Sequence, residues 1–502
     1  MKKLTALILM FAMCFILLAG CGDSIGVSRE ASDERTLAEK QRTSDTLLSD
    51  DEISYVMIYN PDIYDEMESY NERRSTGEFG EYVEAVVNRA DGMQTPPPSG
   101  IIPSSVAENN AGVDVSPFDI SGGRGGAMIV PYNVGDTHDF YCGTERRMLR
   151  RFICRYAGEY CNVWTYDNSM NDSQVREYGR EFDNKIYEET TEIFGKSRFA
   201  ENGGKVNLLF YPMQEGLGGF FHMLDLWASD EVTPDQKFSY GINTDHDIVN
   251  INTRYLSANE LIYSTMAHEF QHLINFTNYF STAKGTQMRT WLNEAMSGYI
   301  EEVLYPGAKD TSGHYEAFST SNRIRHGQSM YNFETTMANL EFDIGVYGSV
   351  YLFSEYLANL AGDSVYSKIH SYWRDSYSMS LDEAEAIVNS ISDDAYEEIA
   401  DSVDFEDAVF FDDEDDEWLS KLTFNFYLSL VKPDRNDPDA YRKIEAQTLL
   451  YDEINPADIE GGGRVIAALR DGEFKFLEDA DEGLVYVGFN KDFEIVTEFV
   501  VR

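Results

Sequence analysis

His268, Glu269 and His272 stand together in the stretch "STMAHEFQHLINF", Ser264 to Phe276. On a helix, two histidines four residues apart project from one side, one turn apart. Imidazoles so placed can hold a single zinc ion, and Glu269 beside them can take a proton from a zinc-activated water. That is the chemical content of the HExxH pattern. A buried helix with these residues and no metal would have to find partners for two imidazoles and a carboxylate in one patch, which is costly. Catalytic zinc usually takes three protein ligands. The HExxHxxGxxH pattern is excluded, because Asn275 and Asn278 occupy its Gly and third His positions. Downstream, "TWLNEAMSGYIEEVLYPG" offers Glu294 at the edge of an apolar stripe that includes Trp291, Leu292, Ala295, Met296, Tyr299 and Ile300. A carboxylate facing inward there needs a cation, and zinc held by His268 and His272 would supply one.

Two helices must position these groups. Ser257 and Glu260 read as a capping box that opens the first, and the helix then runs to about Phe280. Its apolar residues lie on more than one face, so it is expected to be buried. The second follows the stripe to Leu304 and stops at Pro306 and Gly307. Upstream, "NVWTYD", "KVNLLFYPM" and "DIVNINTRY" read as strands, and Val175 to Phe194 as a helix. Phe342 to Leu357 reads as a further buried helix. Strands mixed with helices and followed by helices predict an α+β domain. The end of the chain, "GLVYVGFNKDFEIVTEFVVR", alternates like strands joined by turns. "EGLGGFF" reads as a turn rather than a phosphate loop. The acidic run "FFDDEDDEW" reads as a solvated loop, since it lacks the spacing of an EF-hand.

The chain has 502 residues and a formal net charge of −48. A field of that sign repels phosphate backbones, which argues against nucleic-acid binding and would favour cationic peptides. Solubility alone is the simpler account of the acidity. The N-terminus, "MKKLTALILMFAMCFILLAGC", combines Lys2 and Lys3, an apolar run and small residues before Cys21. It reads as an export signal and resembles the bacterial lipobox, which implies lipidation of Cys21 and a location on the cell envelope, at the outer membrane or cell surface. The expected organisation is a signal over 1–20, a flexible tether over 21–50, an N-terminal segment and linker over 51–127, a domain carrying the candidate zinc site over 128–400, and an acidic segment with a small β-rich unit over 401–502. The literal GxSxG at Gly22 to Gly26 lacks the strand and helix that a nucleophile elbow needs. Cys142, Cys154 and Cys161 allow one disulfide after export, and their spacing does not name the pair.

HEFQH followed after a loop by WLNEAMS resembles the gluzincin metallopeptidases, whose third zinc ligand is a Glu on a second helix. With "NVGDTHDF" and "CRYAGEYCNVWTYD" upstream, residues 128 to 375 are most similar to the hyicolysin-type family. The resemblance implies a zincin-like fold, with a twisted mixed sheet over the HExxH helix and a helical lower half. It implies one catalytic Zn2+ on His268, His272 and Glu294, Glu269 as general base, and a membrane-anchored endopeptidase acting on peptides or proteins. A binding or adhesion lipoprotein on an inactive peptidase scaffold is the alternative. "DIVNINTRY" is the candidate edge strand for pairing with extended substrate. His326, Tyr331 and Tyr347 are candidates to stabilise the oxyanion, with Tyr347 preferred. Asp343 in "DIGVYG" echoes the aspzincins as a rival third ligand, with a spacing that differs by one residue. Thermolysin-like members place an Asp four residues after the ligand Glu to orient a zinc histidine. Gly298 holds that position, so another partner is required, with Asn293 or Ser297 as guesses.

Overall fold

A computed structural model describes residues 53–63, 131–143, 147–200, 203–213, 218–281, 290–306, 318–332, 345–362, 364–375, 387, 390–391, 414–431, 448–451, 454–469 and 483–500. The signal, Cys21, the tether and Asp343 lie outside these residues. Among those described, no helix is long and apolar enough to cross a membrane.

In chain order the strands are β1 (Tyr55–Tyr59), β2 (Thr137–Cys142), β3 (Met148–Ala157), β4 (Cys161–Thr165), β5 (Val206–Tyr211), β6 (Gly219–Phe220), β7 (Asp247–Asn252), β8 (Thr448–Leu450), β9 (Arg464–Ala468), β10 (Val485–Phe489) and β11 (Ile495–Val500). The principal helices are α1 (Asp172–Glu181), which passes through a π turn (Phe182–Ile186) into α2 (Tyr187–Phe194), α3 (Pro234–Tyr240), α4 (Asn259–Ser281), α5 (Thr290–Leu304), α6 (Asn322–Arg325), α7 (Gly345–Ala361), α8 (Ser364–Asp375) and α9 (Glu414–Val431).

Two sheets organise the molecule. The first has the order β2-β3-β4-β5-β7-β6. Its β4, β5 and β7 run parallel, while β2, β3 and β6 pair antiparallel to their neighbours. The central strands are buried on both faces, as expected where helices or loops cover each side of a sheet. Val206, Leu208 and Phe210 pack into the same core as Phe270 and Leu273 of α4. Each such burial is worth about 1.5–3 kcal/mol against exposure. The mixed sheet and helices form the expected α+β fold. β7 begins the "DIVNINTRY" stretch, but it is not the edge. The two-residue β6, within "EGLGGFF", pairs with its outer side and is the end strand. That stretch is therefore not a turn over Gly219 and Phe220. Gly219 permits the close approach: a Cβ there would lie 2.6 Å from the Asn250 carbonyl.

The second sheet has the order β11-β10-β1-β9-β8. Sequence reading placed β1 and the C-terminal strands in separate regions, and the structure joins them. β1, in the N-terminal segment, is the centre strand of this sheet. Glu414 to Trp418, expected in a solvated loop, lie in the first turns of α9. Acidic side chains are favoured there by the helix dipole. Cys142, Cys154 and Cys161 are all buried free thiols with no bridge between them.

Candidate metal centre

α4 begins at Asn259, and the Ile262 amide donates to the Ala258 carbonyl at 3.2 Å. Ala258, not Ser257, thus occupies the cap position, one residue beyond the expected box. α5 packs along α4, and Asn275 Nδ2 ties the two helices by donating to Asn293 Oδ1 at 2.6 Å. His268, Glu269 and His272 from α4 and Glu294 from α5 are all buried, at 1–2% relative exposure.

The three predicted ligands converge. His268 Nε2 lies 3.0 Å from His272 Nε2. Glu294 Oε2 lies 3.5 Å from His268 Nε2, and Glu294 Oε1 lies 3.4 Å from His272 Nε2. Zinc bonds of about 2.0–2.1 Å in a tetrahedron imply ligand atoms about 3.3–3.4 Å apart. The three separations, the last two to different oxygens of the Glu294 carboxylate, lie near that edge length, and one ligand atom from each residue falls within 4.8 Å of the others. Among the described residues this is the only group of three or more His, Cys, Asp or Glu that could hold a metal ion. Neither Glu294 oxygen has a hydrogen-bond partner, nor does Glu269 Oε2. Buried polar atoms without partners are rare enough to require an explanation, and an ion supplies one.

The far sides of the imidazoles fix their tautomers. His268 Nδ1 donates to Glu301 Oε1 at 2.5 Å. His272 Nδ1 lies 3.0 Å from Ser297 Oγ. That hydroxyl has one proton, which it gives to Gln271 Oε1 or to the Asn293 carbonyl. It therefore accepts from His272 Nδ1–H. Both Nε2 atoms are turned toward each other and toward the Glu294 carboxylate. Two imidazole nitrogens and a carboxylate facing one another in a buried site require a positive charge among them, from a metal ion or a proton. The electrostatics agree. Burial would lower His268, but the Glu301 and Glu294 carboxylates outweigh it and hold the imidazole up to about 10. Burial would raise Glu294, but His272 and His268 pull it down to about 2. Glu269 is raised, chiefly by burial.

Glu301 was missed in the sequence reading. It sits seven residues after Glu294, with Ser297 between them at i+3, so one stripe of α5 carries all three. The signal was available as E-x-x-S-x-x-x-E on an otherwise apolar helix. Ser297, one of the two candidates, does face His272. Asn293 instead clips α5 to α4. Tyr331 does not serve the site, since its hydroxyl is bound to Thr423 Oγ1 at 2.6 Å. His326 is exposed and bonds the Asn322 carbonyl through Nδ1 at 2.6 Å. Tyr347 is buried near the start of α7, which packs along α5.

No protein-family model matches this chain. Neutral metalloprotease ShpI of Staphylococcus hyicus is 31% identical to it over 230 residues, covering 43% of this chain and 49% of the relative. The chain thus spans about half the length of the curated relative it matches.

Proposed function

We propose that the chain is a zinc endopeptidase, with His268, His272 and Glu294 as metal ligands and Glu269 as general base. The mutual spacing of the three buried donor atoms carries this reading, and the similarity to a neutral metalloprotease supports it. Bound zinc would supply Lewis-acid polarisation of the scissile carbonyl and of the attacking water. Glu269 takes a proton as the water oxygen bonds the carbonyl carbon, then delivers one to the amine nitrogen as the C–N bond breaks. Ser297 and Glu301 keep the imidazoles in the tautomer that presents Nε2 to the centre. Tyr347 is the candidate donor to the charge that develops on the carbonyl oxygen. β6, the end strand beside α4, replaces β7 as the strand against which extended substrate would pair. Lipidation of Cys21 would hold the enzyme at the envelope surface. Substitution Cys21→Ser would then move it from the membrane fraction to the soluble one.

Metal analysis and casein hydrolysis on the purified ectodomain test the assignment. The expectation is about one zinc per chain. Glu269→Gln should keep that zinc and lose about 10²–10⁴-fold in hydrolysis rate. Zinc without cleavage by the unaltered protein would favour the binding lipoprotein instead. Absence of zinc would remove the enzyme reading altogether.

A further inference from the structure

β1 is the centre strand of the second sheet. Tyr55 through Tyr59 pair with Phe489 through Val485 on one side and with Ala468 through Arg464 on the other. Both of its backbone edges are therefore taken. Val56, Met57, Ile58, Tyr59 and Ile63 are all buried, and Tyr55 stacks on Phe493 with ring centroids 4.4 Å apart.

The exit from the strand is fastened as firmly. The Asn60 amide donates to the Gly463 carbonyl at 3.0 Å, and the Asn60 carbonyl accepts from the Gly462 amide at 2.7 Å. Asn60 Nδ2 donates to the Ile459 carbonyl at 2.9 Å. Gly462 has φ of +74°, and a Cβ there would lie 2.6 Å from the Tyr331 ring, so only glycine fits this junction. Tyr59 Oη lies 3.1 Å from both the carbonyl and Oγ of Ser420 on α9. Ser420 Oγ donates in turn to the Pro61 carbonyl at 2.9 Å.

This assembly reaches the ligand helices. Thr423, three residues after Ser420, accepts from the Tyr331 hydroxyl. The Tyr331 ring packs edge-on against Trp291, 4.8 Å between centroids, three residues before Glu294. A continuous buried path thus runs from the N-terminal strand to α5.

We propose that residues 53–63 are a permanent element of the working protein, held in the slot between β9 and β10, and not a removable pro-segment. A chain cut within residues 64–130 stays a two-piece protein. Loss of the strand would leave β9 and β10 with opposed, unpaired inner edges and an apolar trench between them. Whatever lies upstream of residue 53 therefore stays attached to the site-bearing half after such a cut. None of this depends on the chemistry proposed for the site.

The test places a sequence-specific protease site within residues 64–130 of the full chain and an affinity tag upstream of residue 53. The folded protein is then cut. The two pieces should co-elute on size exclusion, part only in denaturant, and keep the melting temperature of the uncut chain within about 2–4 °C. Separation of the pieces under native conditions overturns the proposal. Ile58→Ala removes buried methylenes and no hydrogen bond, so it should speed exchange of the N-terminal piece about tenfold or more. An unchanged exchange rate would show that retention does not run through β1, and would overturn it equally.

Discussion

The candidate metal cluster is built from two helices neighbouring in sequence, α4 and α5, and its bond from His268 to Glu301 spans 33 residues. In the second sheet, Asn60 and its partner Ile459 are 399 residues apart. The first region is specified by local periodicity: positions i and i+4 on α4, then i, i+3 and i+7 on α5. The second is specified by complementary apolar strands that carry no mark of who pairs with whom. The site is polar inside and held by directed hydrogen bonds. The sheet is apolar inside and held by backbone pairing. Substitutions in the two regions should therefore fail in different ways.

The largest contrast is expected at a ligand. Glu294→Ala should reduce bound zinc from about one ion per chain to none by elemental analysis, because two imidazoles alone leave the usual three-ligand set incomplete. Retention of stoichiometric zinc would move the third ligand elsewhere and break the comparison. Next comes Ile58→Ala, which should cost about 2–5 kcal/mol in denaturant unfolding while leaving zinc stoichiometry intact. A smaller effect separates the two imidazoles. Glu301→Gln should weaken zinc binding about 10–100-fold in chelator competition. Ser297→Ala should weaken it less, since a neutral hydroxyl supports an imidazole less strongly than a carboxylate does. The reverse order would mean that His272 is the better-supported ligand. The smallest change is expected for Tyr59→Phe. Losing its bond to Ser420 should lower stability by about 1 kcal/mol, with no effect on metal affinity.

These contrasts also explain what could be read from the residues alone. The convergence of His268, His272 and Glu294 was legible because a helix turns sequence spacing directly into geometry. The strand at 247–252 was legible for its apolar, β-branched run, but its place in the sheet was not. Edge position depends on Gly219 and Phe220, two residues in a glycine-rich stretch too short to show a period. Glu301 was not legible from the expected position, four residues after Glu294, which is Gly298. A glutamate at the seventh position reaches His268 instead. For β1, no local feature could reveal that its neighbours are β9 and β10. The same holds for the three thiols: export would permit a disulfide, but they lie on β2, β3 and β4 as free thiols.

The central position of β1 has a consequence for how the chain is made. It leaves the ribosome about 400 residues before both strands that flank it. At about 5–20 residues per second, the interval is about 20–80 s. Throughout that wait an apolar segment has no native companion, so something must shelter it from sticking to itself or to other nascent chains.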